Sequence, residues 1–352
     1  SDDVNAAVAG ISEEISAAVV FAKSSPFPER SSAAFIYEPV QAQLAQVVKN
    51  LEELAAGTML SEDENLLAHA LISGGKKVRP TITLLAGALL DGAEETLVTM
   101  ATAVELLHIA SLVHDDTVDK ANTRRGRATV SSLWGNDIAV LLGDYVFATS
   151  AVFVCDTGNV QVVRRFSETI MELASGELIE YFSAFDPEQA RELYNDRIYR
   201  KTASLFCTAG ESGAILGGAP EAQVQAMRQY GYNIGMAFQI GDDLLDVQGD
   251  PEDLGKPVGA DLLHGVLTLP TIMLLERYPD DNPVQRLFKD PEEEGKLEQV
   301  LDMLQSSGIA KDCEQVVKDY CDQACASLME LPNCEARRSL LDLASYVRER
   351  RR

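Results

Sequence analysis

The strongest chemical signal is a repeated acidic pentapeptide. Asp115-Asp116-Thr117-Val118-Asp119 (DDTVD) recurs as Asp242-Asp243-Leu244-Leu245-Asp246 (DDLLD), 127 residues further along. Each closes a long apolar run, the pattern of a buried helix with an acidic tip. Residues four apart share a helix face. Asp115 and Asp119 therefore point the same way, about 6 Å apart along the axis at roughly 1.5 Å per residue. Asp242 and Asp246 are related in the same way. Two such pairs facing one another are expected to make an all-oxygen site for a hard cation. Mg²⁺ fits that donor set, because it is typically held by a few carboxylates with waters and substrate phosphates. One DDxxD alone is weak, since Asp pairs often simply end helices. Two, with the cations that flank them, are a strong signal.

Four basic elements accompany the acidic ones. Gly74-Gly75-Lys76-Lys77-Val78-Arg79-Pro80 sets glycines ahead of three cations at an expected helix start. Backbone N–H groups and cations there favour a phosphate. Arg124-Arg125-Gly126-Arg127 follows the first acidic motif. Lys201-Thr202 opens an apolar helix, and Lys256 sits in Gly255-Lys256-Pro257. Any one of these alone reads as a solvated surface cation. Each gains weight from the glycine-rich loop, helix terminus or acidic motif beside it. His108 lies two helical turns before Asp115 on the same face, and reads equally as a packed residue or a phosphate ligand. Gln239, one turn before Asp242, offers an amide to a diphosphate or a metal-bound water. His114 is left unassigned.

Composition bounds what these residues can serve. The chain has 352 residues, 46% of them hydrophobic, which is too apolar for a disordered protein. It carries 30 Lys plus Arg against 55 Asp plus Glu, a formal net charge of −25. That balance argues against nucleic-acid binding. An anionic substrate then needs a local basic patch or metal ions. No stretch reaches the roughly 18 uninterrupted apolar residues of a membrane helix, so a soluble, cytoplasmic protein is expected. Six cysteines are present without a CxxC pair. Cys321 and Cys325 share a helical face, but no closely spaced His joins them as in common zinc patterns. They read as small helical residues in a reducing compartment. Residues 1–35 are rich in Ala and Ser, yet acidic residues make a transit peptide a poor fit. A loosely attached helical extension is expected there.

The elements that must position the site are helices. In residues 96–119, Leu97, Met100, Ala101, Val104, Leu107, Ala110, Ser111 and Leu112 recur with helical period. Helices are expected at 36–56, 62–73, 78–91, 94–119, 136–155, 160–183, 187–195, 197–216, 221–247, 262–276, 283–289, 294–306, 309–330 and 334–351. No alternating strand flanked by hairpin turns stands out. The chain thus reads as one all-α domain over residues 36–352 with an N-terminal appendage.

Taken in order, GGKKVRP, HIASLVHDDTVD, RRG, KT, FQIGDDLLD and GKPVG resemble the motif series of the trans-isoprenyl diphosphate synthases, or polyprenyl synthetases. The resemblance covers roughly residues 40–350. It implies an all-α bundle around a deep central cavity, usually a homodimer. It also implies head-to-tail joining of an allylic diphosphate to isopentenyl diphosphate. On this resemblance Asp115, Asp119 and Asp242 ligate three Mg²⁺ ions, with Asp116, Asp243 and Asp246 in the metals' inner or outer coordination. Arg124, Lys201, Gln239 and Lys256 hold the allylic diphosphate, with Thr202 nearby. Lys76, Arg79, His108 and Arg125 hold isopentenyl diphosphate. No transmembrane segment is implied, only transient membrane contact as product leaves.

The chain departs from the family pattern in three places. Val266 stands where a second lysine is common, Ala128 where a proline is common, and Glu180 where a glutamine is common. Product length should depend on Ala110 and Ser111, one turn below Asp115. Short-product family members resemble one another in carrying a bulky aromatic there. Both are small here, so the floor should lie deeper, at Leu106 and Leu107 or at Phe147, Phe153 or Phe166. A product of at least twenty carbons is expected, with thirty or more favoured and a geranylgeranyl diphosphate synthase as the alternative. The plainer reading is that Ala110 and Ser111 only let helices approach. Terpene cyclases share the metal chemistry but need no GGK-type site. Glu105-Leu106-Leu107-His108 has the Glu-x-x-His spacing of di-iron bundles, which require two such motifs. A non-catalytic subunit is the remaining alternative, and both intact acidic motifs weigh against it.

Overall fold

Apolar residues at helical spacing, with punctuation by Gly and Pro, give a chain that is almost entirely helix. A computed structural model describes residues 34–57, 66–72, 74–90, 92–248, 258–280, 282–290 and 295–349. Most of the N-terminal extension expected over 1–35, and Lys256, lie outside the described residues. The early helices are α1 (Ala34–Tyr37), α2 (Gln41–Ala56), α3 (Leu66–Leu71), α4 (Val78–Ala88) and α5 (Glu94–Val118). A small ladder, β1 (Thr123–Arg124) with β2 (Arg127–Ala128), precedes α6 (Val130–Trp134), α7 (Asn136–Asp156) and α8 (Val160–Phe182). Then come α9 (Arg191–Ile198), a π-helical turn at Tyr199–Ala203, α10 (Ser204–Leu216) and α11 (Glu221–Gln248). The chain continues through α12 (Ala260–Leu263), α13 (Leu269–Arg277), α14 (Pro283–Lys289), α15 (Lys296–Ser307), α16 (Ile309–Ser327) and α17 (Glu335–Glu349).

The two helices that carry the acidic motifs run almost where periodicity places them. Other expectations fail for local reasons. The helix expected at 187–195 starts only at Arg191. Before it, the Gln189 amide donates to Ser183 O and Asp186 O and holds a turn. The helix expected at 262–276 is split in two. Gly265, at φ 77°, breaks it, and α13 restarts after Thr268, whose N–H donates to Thr271 Oγ1 at 2.9 Å. The unexpected ladder pairs Arg124 with Arg127 across Arg125 (φ 51°) and Gly126 (φ 74°). Two successive positive φ values make the tight turn whose twist suits a hairpin.

The described chain forms two compact units. Unit 1 comprises residues up to Ser167 together with Thr208–Arg228 and Ser327–Tyr346. Here α5 is the axis, and α2, α4 and α7 pack on it. Leu106, Ile109, Ala110 and Val113 of α5 meet Leu142 and Val146 of α7 and Leu67 and Leu71 of α3. Both α5 and α7 are long and apolar enough to cross a membrane by length and composition. Of the two, α5 is mostly buried, whereas α7 is buried on one side only. Unit 2 comprises Glu168–Cys207, Gln229–Ala326 and the chain from Val347. It contains most of α11, buried through Ile234, Met236, Ala237 and Ile240.

Within unit 1, α4 approaches Gly213 very closely. A Cβ added at Gly213 would collide with Thr83 O and lie 2.9 Å from Ala86 Cβ. In open space, Gly→Ala in a helix gains about 1 kcal/mol. Overpacking costs about 1–3 kcal/mol, and the backbone oxygen cannot swing aside. Gly213→Ala is therefore expected to lower the urea unfolding midpoint. An unchanged or raised midpoint would show that α4 and α10 have room between them.

Candidate active site

Unit 1 assembles cations around one imidazole. Arg79, in the first turn of α4, donates from Nη1 to His108 Nε2 at 3.2 Å. Burial, and then the charges of Arg79, Arg125, Lys77 and Arg124, hold the His108 pKa well below the usual histidine value. His108 is therefore neutral at pH 7, with Nε2 accepting and Nδ1 carrying the proton. Five basic side chains that are scattered along 50 residues of sequence are thus brought to one neighbourhood.

The two adjacent lysines have opposite fates. Lys77 caps α4 in a left-handed conformation (φ 47°, ψ 38°). This turns its side chain inward, and its Nζ donates to Glu105 Oε1 at 2.9 Å in a buried ion pair. A left-handed non-glycine residue costs roughly 1–2 kcal/mol, so the pair must hold it there. With Glu105 engaged by Lys77 and His108 by Arg79, the di-iron reading of Glu105-x-x-His108 has no support in the structure. Lys76 points outward. Its backbone O accepts from Tyr37 Oη at 2.7 Å, and its Nζ donates to Tyr346 Oη at 2.5 Å. Neither tyrosine was singled out from the sequence, because they lie 39 and 270 residues from Lys76.

At the end of α5, the three aspartates separate by environment. Asp116 is buried and accepts from Arg124 Nε at 2.6 Å. Burial raises its pKa, against the opposing pull of Arg124. Asp115 is half-buried and Asp119 exposed. Arg125 Nη1 donates to Gly74 O, so the arginine hairpin reaches the loop that carries Lys76.

Unit 2 shows a similar division. Asp243 is buried and accepts from Tyr194 Oη at 2.6 Å and Gln239 Nε2 at 2.8 Å. Burial and the charge of Asp261 push its pKa up to about 7, despite those hydrogen bonds. Thr202 Oγ1 donates to Gln239 Oε1 at 2.6 Å, so Thr202, Gln239, Asp243 and Tyr194 form one chain. Asp246 is buried and accepts from the Asp261 N–H at 3.3 Å. Asp242 is half-buried. Lys201 lies in the π-helical turn, a feature frequent at functional sites. Its Nζ donates to Glu177 at 3.0 Å and Glu180 at 2.6 Å. Glu180 also lies 3.6 Å from Arg197 Nε, which accounts for a glutamate at that position. Gly176 makes space for the turn, since a Cβ there would be 2.7 Å from Lys201 N.

The residues expected to set product length sit in the core of unit 1. Leu107 and Ala110 are buried, and Ser111 is half-buried with Oγ donating to His108 O at 2.8 Å. Phe147 and Phe153 pack against the same cluster as Ala110, while Phe166 is buried elsewhere in the core. Among the described residues no three His, Cys, Asp or Glu side chains converge as a ready-made metal cage. Asp115 and Asp119 in unit 1, and Asp242 and Asp246 in unit 2, each supply oxygen donors only, the donor type that suits a hard cation keeping waters and taking further ligands from phosphate.

Acidic helix ends, each accompanied by basic side chains of its own unit on an all-α scaffold, define a prenyltransferase of the isoprenoid-synthase fold. The chain belongs to the polyprenyl synthetase family, whose model matches residues 63–304. A prenyl transferase of Synechocystis sp. is 36% identical over 89% of this chain and 97% of its own length. The octaprenyl diphosphate synthase of Escherichia coli is 35% identical over 86% of this chain and 94% of its own. A solved polyprenyl synthase of Caulobacter crescentus, complexed with calcium and isoprenyl diphosphate, superposes with a TM-score of 0.85. It shares 30% identity and covers 92% of this chain and 99% of its own.

The Lys77–Glu105 pair gives a stability test. Removing one partner strands a buried charge, which costs about 3–5 kcal/mol, whereas an apolar pair of similar volume is often neutral. Glu105→Leu should therefore lower the thermal midpoint sharply, and adding Lys77→Met should recover most of it. A small effect of the single substitution would show that Lys77 finds water or another partner.

Proposed function

We propose that this prenyltransferase joins isopentenyl diphosphate head to tail to an allylic diphosphate, releasing a polyprenyl diphosphate of more than twenty carbons. The observation that carries this reading is the convergence of Arg79, Lys77, Arg124 and Arg125 on a neutral His108, one turn-pair below DDTVD in a chain of net charge −25. Lys76, Arg79, His108 and Arg125 hold isopentenyl diphosphate. In unit 2 Lys201 would exchange its carboxylate partners for phosphate oxygens of the allylic diphosphate, and in unit 1 Arg124 would offer its Nη donors to phosphate while Nε stays on Asp116. Asp115 and Asp119 of unit 1, and Asp242 and Asp246 of unit 2, would hold Mg²⁺. Asp116 and Asp243 orient their helix ends through Arg124 and through Tyr194 and Gln239. Bound Mg²⁺ supplies neutralisation of the charge that develops on the leaving diphosphate. The apolar walls then exclude water from the allylic cation while the isopentenyl double bond lies close.

Two observations support a long product. Ala110 and Ser111 leave no bulky side chain one turn below Asp115, and the similar Escherichia coli enzyme is an octaprenyl diphosphate synthase. Labelled isopentenyl diphosphate with purified enzyme, followed by chromatography, should give Mg²⁺-dependent products beyond twenty carbons. A fifteen-carbon end product would overturn the length. Asp115→Ala should abolish turnover with the thermal midpoint little changed; retained turnover would remove Asp115 from the machinery.

The exposed side of α7 supports a homodimer. Ile138, Leu141, Tyr145, Ala148, Val152 and Cys155 are exposed at alternating spacings of three and four. That is the seam of a helix that packs on another helix. Asp137 and Asp144 are exposed on the same helix, which disfavours an anionic lipid surface. Sedimentation should show a dimer for the wild type and a monomer for Leu141→Glu. A monomeric wild type that co-sediments with neutral vesicles would assign the seam to membrane instead.

A further inference from the structure

Like charges repel, so the basic groups near His108 must be held in place before any anion arrives. Arg124 and Arg125 ride on a hairpin whose strands are two residues each, far too short to persist alone. Something outside the hairpin must fix it. The β2 strand is held by a half-buried histidine of α3. His69 Nε2 lies 2.7 Å from Ala128 O, and its Nδ1 lies 3.3 Å from Arg127 Nη2. Arg127 Nη1 reaches Ile72 O at 3.5 Å. The imidazole stands edge-on to Trp134, with ring centroids 5.4 Å apart. On the other side of the turn, Arg125 donates to Gly74 O. A Cβ at Gly75 would be 2.7 Å from Arg125 Nη1, so glycine clears the seat for that guanidinium.

The partners fix the state of His69. A carbonyl can only accept, so Nε2 carries the proton. A guanidinium can only donate, so Nδ1 accepts. One neutral tautomer satisfies both bonds, and no other state does. The segment after α3 runs directly into Gly74-Gly75-Lys76, so the contacts that dock β2 also set where Arg125 stands relative to Lys76.

We propose that His69 is a positioning residue for the isopentenyl diphosphate site, fixing the arginine hairpin so that Arg125 and Lys76 are correctly spaced for one diphosphate. His69 itself touches no substrate. The inference rests on the reading of Lys76 and Arg125 as ligands of that diphosphate.

The test is steady-state kinetics of His69→Ala, His69→Gln, Arg127→Leu, and the His69→Ala/Arg127→Leu double variant, with Lys76→Ala and Arg125→Ala alongside. A misplaced charged hydrogen bond is worth roughly tenfold in binding. His69→Ala should raise KM for isopentenyl diphosphate by about that factor, with kcat nearly unchanged and a smaller rise in the KM for the allylic diphosphate, because Arg124 on the same hairpin is separately held by Asp116. Gln keeps a donor for Ala128 O and should restore much of the loss. Arg127→Leu should reproduce the Ala phenotype, and the double variant should be no worse than either single one. Two results would overturn the proposal: a fall in kcat and thermal midpoint that Gln does not rescue, or additive losses in the double variant. If Lys76→Ala and Arg125→Ala raise that KM but His69→Ala does not, the site stands and the positioning role falls. If neither Lys76→Ala nor Arg125→Ala changes it, the site assignment itself fails and takes this role with it.

Discussion

The constraint on which the rest depends is the mutual repulsion of cations gathered around one histidine. Two unit charges 6 Å apart at an effective dielectric constant near 20 repel by about 3 kcal/mol. Unit 1 brings Arg79, Lys77, Arg124 and Arg125 within electrostatic reach of one histidine. The fold answers with a local counter-charge or carbonyl for three of them. Lys77 has Glu105, Arg124 has Asp116, and Arg125 has Gly74 O. His108 answers differently, by staying neutral. In unit 2 the same solution recurs, with Lys201 set against Glu177 and Glu180. On the proposed reading, an acidic composition is therefore no obstacle to binding a diphosphate. It supplies the carboxylates that keep these cations in place.

The first two aspartates of the two acidic motifs stand in matching environments, whereas Asp119 is exposed and Asp246 buried. In each, the central aspartate is buried and hydrogen-bonded to side chains of its own unit: Asp116 to Arg124, Asp243 to Tyr194 and Gln239. The first aspartate of each is half-buried, at the end of a helix whose other residues are core. A ligand carboxylate must be held within a fraction of an ångström to be useful, and that requires a supporting layer with fixed rotamers. On the proposed reading the consecutive Asp-Asp pair is two functions side by side. One residue anchors the helix end and the other is presented to the metal. The raised pKa of Asp243 follows from the anchoring, since burial disfavours its charge more than two hydrogen bonds favour it.

What could be read from the sequence depended on the range of the interaction. α5 and α11 were legible because their apolar period and acidic tips are local. That cations stand at a helix start after paired glycines was legible. That Lys77 turns inward was not, since this depends on a left-handed backbone and on Glu105, 28 residues away. Tyr37, Tyr346 and His69 left no local signal, because what distinguishes them is a partner far along the chain. The hairpin was missed because two-residue strands have no alternation to detect. For α7 the apolar run marks a helix but not its covered side, and Leu141 is 64% exposed and Val152 58%. Composition reports apolarity, but not whether the partner surface is in the same chain.

Helix α5 links the chemistry to the product. Its tip carries Asp115, and one turn below, Ala110 packs against α7 and α3 in the core of unit 1. On the proposed reading, a growing chain that follows α5 replaces contacts of this kind with its own. Each buried methylene gains about 0.8 kcal/mol, so every added five-carbon unit strengthens the hold on the intermediate by a few kcal/mol. Elongation is then favoured until the wall stops yielding. A small residue at position 110 keeps the first tier deformable, because an alanine loses no rotamer and leaves no large cavity when its neighbours shift. Leu106 and Leu107, fully buried in the next tier, and the Phe147 and Phe153 rings against the same cluster are bulkier and cost more to displace. Product length is in this sense a packing property of one helix, set by how far below its metal-binding tip the side chains begin to resist.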